Sequence, residues 1–83
     1  MTTIKHYTAT WCGPCKALKP IMQEIASQNP SVNYQMIDVD QNQADAQANG
    51  VRSIPVVIVQ KNGVETSRFV GIQPKAVYEQ AIK

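Results

Sequence analysis

The chain has 83 residues, 43% of them hydrophobic and 17% charged, with a formal net charge of +2. That length allows one domain, residues 1–83, and the apolar fraction excludes global disorder. The basic residues are scattered at Lys5, Lys16, Lys19, Arg52, Lys61, Arg68, Lys75 and Lys83, which gives no electrostatic footprint for nucleic acid or an anionic membrane, and no apolar run reaches the about 20 residues that cross a bilayer.

The first residues carry no basic segment followed by an apolar one, so no secretory leader is expected and a cytoplasmic, reducing location is the expectation. Residues 3–9, TIKHYTA, are β-branched and aromatic enough for a strand. Period two puts Ile4, His6 and Thr8 on one face, and Lys5, Tyr7 and Ala9 on the other. From Pro14 to about Ser27, Leu18, Ile21, Met22 and Ile25 recur at helical spacing. Pro20 lies inside that helix and is expected to kink it, and Asn29-Pro30 ends it.

Residues 33–39 read as a second strand, and 42–48 as a short polar helix with Gly50 in the left-handed position after it. Residues 55–60, PVVIVQ, form an apolar run suited to a central strand. Lys61-Asn62-Gly63 signals a hairpin turn into a partner strand at 64–70. Gln73-Pro74 opens a last helix through Ile82, with the proline near its first turn. The order β-α-β-α-β-β-α predicts an α/β fold, a four-stranded mixed sheet with helices on both faces.

Cys12 and Cys15 fall at the junction between the first strand and the first helix. Free N–H groups at a helix N-terminus favour a negative charge, so a thiolate on Cys12 is expected below the ~8.5 of a free cysteine. Cys12 can then attack a disulfide, and Cys15 can resolve the mixed disulfide that forms. Three other readings stand beside this one. A structural disulfide closing so small a loop contributes at best roughly 2 kcal/mol. A structural zinc site wants four ligands, and His6 is the only histidine to add to the two cysteines. A pair of inert core thiols does not suit the strand-to-helix junction.

The segment WCGPCK at 11–16 resembles the active-site signature of the thioredoxin family. Pro20, five residues after Cys15, is similar to the family's helix proline. VRSIPVVIVQKNG at 51–63 and FVG at 69–71 resemble the family's proline loop, hairpin and groove-bordering glycine. The resemblance covers the chain from about residue 3. It implies a thioredoxin-like fold and a protein-disulfide oxidoreductase that works through Cys12 and Cys15. It implies a cis Ile54–Pro55 bond, with the Ile54 backbone free to pair with an extended substrate. It also implies an apolar docking face of Trp11, Gly13, Pro14, Ile54, Pro55, Gly71 and Ile72.

No bound cofactor and no metal are expected by the same resemblance. Electrons would come from NADPH through a thioredoxin reductase. The partners implied are disulfide-containing proteins such as ribonucleotide reductase or a peroxiredoxin, met by a monomer.

The chain departs from the family in three places. It is shorter, with no strand and helix ahead of the first strand, and nearer to glutaredoxins in size. His6 stands where the family usually has a buried aspartate, and Met36 where a lysine often sits near it. Thr8 replaces a frequent tryptophan. His6 is therefore a candidate proton acceptor for Cys15, or else a packed histidine with no part in the chemistry. A glutaredoxin-like, glutathione-dependent enzyme is the alternative function. The Gly13-Pro14 dipeptide argues against it, since glutaredoxins typically carry Pro-Tyr there. A docking subunit of a larger enzyme is the third reading.

Overall fold

The computed structural model describes residues 1–83. Strand β1 (Thr2–Thr8) pairs in parallel with β2 (Asn33–Asp38) and antiparallel with β3 (Val56–Lys61), which in turn pairs antiparallel with β4 (Val64–Val70). The sheet order is β2-β1-β3-β4. Helix α1 (Gly13–Gln28) forms the β1–β2 crossover, α2 (Gln43–Ala48) the β2–β3 connection, and α3 (Lys75–Ala81) closes the chain.

Period-two alternation gives the two sheet faces different covers. Ile4 and Val57 face Leu18, Met22 and Ile25 of α1 and Tyr78 of α3, and all six are fully buried. Tyr7, Val56, Ile58 and Ile37 face the other way and enclose Ala46 of α2. A hydrogen bond from the Tyr7 hydroxyl to Asp45 Oδ1, at 3.0 Å, ties α2 to that face. Together with its burial, this bond pushes the Tyr7 pKa up to about 12. Leu18 is a fully buried member of the first cluster. Leu18→Ala is expected to destabilise the chain by about 3 kcal/mol, read from the urea midpoint, because the site cannot collapse around the void.

Helix α1 continues through Pro20 to Gln28, and Asn29 then ends it, its side-chain amide donating to the Ile25 carbonyl at 2.8 Å. Asn62 and Gly63 both take positive φ, 55° and 82°, so the predicted hairpin is a primed turn matched to the strand twist. Pro74 opens α3 as its N-cap, with ψ of 146°, directly before the first turn. An extended ψ leaves the Pro74 carbonyl to accept the Val77 N–H at 3.0 Å, so the helix begins at Lys75.

Candidate active site

Cys12 is the N-cap of α1, with extended backbone (φ −91°, ψ 111°), and Pro14 occupies the first turn. This places Cys15 one turn into the helix, and the two sulfurs are joined in a disulfide. The Cys15 N–H donates to Cys12 Sγ at 3.2 Å. A helix N-terminus therefore aims a donor at one sulfur of the pair and not at the other. A negative charge on Cys12 Sγ strengthens that bond and is favoured by the helix dipole. Both cysteines are buried, 4% and 1% exposed, and pack with Ala9 against Val39 and Ile54.

Residues distant in sequence complete one side of the pair. Trp11 is 67% exposed, and its indole N–H donates to Asp40 Oδ2 at 2.7 Å. Trp11, Val39, Val51, Arg52, Ser53 and Ile54 line a groove of about 380 Å³ beside the disulfide. The Ile54–Pro55 bond is cis. Neither the N–H nor the C=O of Ile54 has a partner within the chain. Gly71, at φ 83°, donates its N–H to the Pro55 carbonyl at 2.8 Å, which draws the segment after β4 alongside the proline loop. Ile72 follows it, 43% exposed, and Gly13 and Pro14 are exposed on the first turn of α1. Lys16 and Arg52 are exposed charges.

His6 lies apart from this face. It is 0% exposed on the α1 side of the sheet, its Nδ1 meets the Tyr34 hydroxyl at 2.9 Å, and its Nε2 has no partner. No hydrogen bond joins it to either cysteine. Burial lowers its pKa from 6.5 to about 4, so the imidazole is neutral at neutral pH. Met36, the residue opposite it on β2, is 45% exposed. His6 and Met36 are thus not a buried pair, because β2 is an edge strand and leaves Met36 open on one side.

Sequence reasoning did not find Val39, Val51, Asp40 or Tyr34 as neighbours of the site. Val39 alone left a trace, as the apolar residue two after Ile37 at the end of the predicted second strand.

Comparison with known proteins agrees with this geometry. The sequence model of the thioredoxin family matches residues 2–83. Thioredoxin-1 of Saccharomyces cerevisiae is 40% identical over 79 residues, covering 95% of this chain and 76% of that protein. A point-mutant thioredoxin from Halobacterium salinarum superposes with a TM-score of 0.91 at 34% identity, over 98% of this chain and 71% of the other. A chain in a structure described as the thiol resolving mechanism of yeast mitochondrial 1-Cys peroxiredoxin via glutathione/thioredoxin systems superposes with a TM-score of 0.90. It is 26% identical, over 98% of this chain and 76% of that one. No helix is long and apolar enough to cross a membrane. The chain belongs to the thioredoxin family, and its Cys12–Cys15 pair is the redox centre of a protein-disulfide oxidoreductase.

Proposed function

We propose that the chain is a cytoplasmic electron carrier that works as a monomer. It reduces protein disulfides and is recharged by a thioredoxin reductase drawing on NADPH, with no cofactor of its own. Cys12 attacks the target disulfide, and Cys15 resolves the resulting mixed disulfide. The observation that carries this reading is the Cys12 sulfur at the helix N-terminus, beside a groove whose Ile54 backbone has both hydrogen-bonding groups free. An extended target segment pairs with Ile54 as an added strand, and alternate side chains rest against Trp11, Gly13, Pro14, Pro55, Gly71 and Ile72.

Peroxiredoxins and ribonucleotide reductase are the target classes proposed. The structural similarity to a chain solved in a study of peroxiredoxin thiol resolution supports the first. Insulin disulfide reduction tests the reading. The expected result is turnover with NADPH and thioredoxin reductase, and less than about a tenth of that rate with glutathione and its reductase. Equal or greater turnover with glutathione would transfer the chain to the glutaredoxin-like reading.

A further inference from the structure

Cys15 is only 1% exposed, yet it lines a cleft of about 350 Å³ that shares no residue with the Trp11–Ile54 groove. Its other walls include Thr8, Thr10, Lys16, Lys19, Met36 and Asp38. In the reaction proposed above, the Cys15 thiol must lose its proton while a docked substrate covers the groove. The cleft is the remaining way in for water.

On the α1 side the sheet presents three titratable side chains, His6, Tyr34 and Asp38, and Cys12, Lys16 and Lys19 belong to the helix of Cys15 itself. From β1 comes His6, sealed in the core, bonded to Tyr34 and absent from the cleft wall. From β2 comes Asp38, which does line the cleft. Its Oδ1 accepts the Asp40 N–H at 2.8 Å, which fixes the group, and its Oδ2 has no partner in the chain. On the groove side stand Arg52 and Asp40, the latter held by the Trp11 indole, and neither lines the cleft.

We infer that Asp38 relays the Cys15 proton through water held in this cleft. The inference rests on Cys12 being the attacking sulfur and Cys15 the resolving one. The Cys15 S–H bond breaks, and its electron pair attacks Cys12 Sγ in the mixed disulfide. The bond between Cys12 and the substrate sulfur breaks, and that electron pair leaves on the substrate, which is reduced. The Cys15 proton passes by water to the Asp38 carboxylate and from there to solvent. Lys16 and Lys19, neither in an ion pair, favour the Cys15 thiolate from the cleft's helix side.

A relay and a mere field effect have opposite signs. The Asp38 charge disfavours a nearby thiolate, so removing it makes Cys15 easier to ionise. If the charge were all that mattered, Asp38→Asn would speed resolution at pH 7. If Asp38 carries the proton, the same change slows it.

The reduced chain, mixed with equimolar 5,5′-dithiobis(2-nitrobenzoate), reads the two steps apart. The first aromatic thiolate is released by Cys12 attack, and the second by Cys15 resolution, and neither leaving group needs a proton. Stopped-flow absorbance from pH 5 to 9 follows both phases, with circular dichroism confirming the fold of each variant. The expected result is that Asp38→Asn slows the second phase about tenfold at pH 7 and the first by less than about twofold. The effect is smaller than a full general-base loss because water still carries part of the proton flow. Asp38→Glu is expected to restore most of the rate, and His6→Phe to leave the second phase in place. An unchanged or faster second phase in Asp38→Asn overturns the inference. So does a second phase slowed by His6→Phe alone, which would give the proton to His6. If the wild type releases no second thiolate, or Cys12→Ser still gives the fast first release, the assignment of attacking and resolving sulfurs fails as well.

Discussion

Cys12→Ser is expected to abolish protein-disulfide reduction, by on the order of a thousandfold or more. Cys15→Ser is expected to abolish turnover too, but to leave the first step intact. The second variant should accumulate as a covalent adduct with its target, visible as an added mass that dithiothreitol removes. The asymmetry follows from where the helix puts each sulfur. Cys12, at the N-cap, receives the Cys15 N–H at 3.2 Å, and a thiolate there gains from both the donor and the dipole. Cys15 lies inside the helix, with no donor on its sulfur, and is ordered for attack only on a partner already joined to Cys12. Mass spectrometry of both variants, incubated with oxidised insulin, checks the assignment. An adduct on Cys12→Ser and none on Cys15→Ser would exchange the two roles.

The same local order explains how much of the protein was readable in advance. The seven elements came from periodicity and turn chemistry, which are properties of neighbours in the chain. Their edges moved where a terminal residue had a second use. Ala9, read as the end of β1, leaves the ladder and packs at 4% exposure against the two cysteines. Pro74 caps α3 from outside because its extended ψ opens the carbonyl to Val77.

The cysteines, the tryptophan and the Ile-Pro loop announced themselves as motifs. Their partners did not. Trp11 meets Asp40 across 29 positions, His6 meets Tyr34 across 28, and Tyr7 meets Asp45 across 38. Those meetings are set by the register of β1 against β2, with His6 opposite Met36 and Thr8 opposite Asp38. A shift of one residue would send the β2 side chains, Tyr34 and Asp38 among them, to the other face, and nothing in either strand alone states the register. The cleft behind Cys15 was invisible for the same reason, since α1, β1 and β2 each supply a wall.

Acid is expected to weaken the fold through His6. Burial holds its pKa near 4 in the folded chain, against 6.5 when unfolded. Between those values the unfolded chain binds the proton and the folded one does not, so stability falls as pH drops through that window and is full above it. From pH 7 to pH 5 the loss from this one group is about 2 kcal/mol, a large share of the ~4–12 kcal/mol that a domain of this size holds. The physical cause lies in the packing. Nε2 is sealed without a partner, so in the imidazolium the proton on that nitrogen has no acceptor. His6→Phe removes the titration. It also leaves the Tyr34 hydroxyl without its partner, so its stability at pH 7 can fall by roughly 1–3 kcal/mol. The diagnostic is therefore the slope and not the level. Urea unfolding at pH 7, 6 and 5 should show the wild type losing stability steeply and His6→Phe losing it by less than about half as much. Carboxylates such as Glu65, held down by its hydrogen bonds to Arg68, titrate in both chains and cancel in the comparison. Parallel slopes in the two proteins would mean that His6 takes up its proton in the folded state as readily as in the unfolded one, and that its pocket admits water.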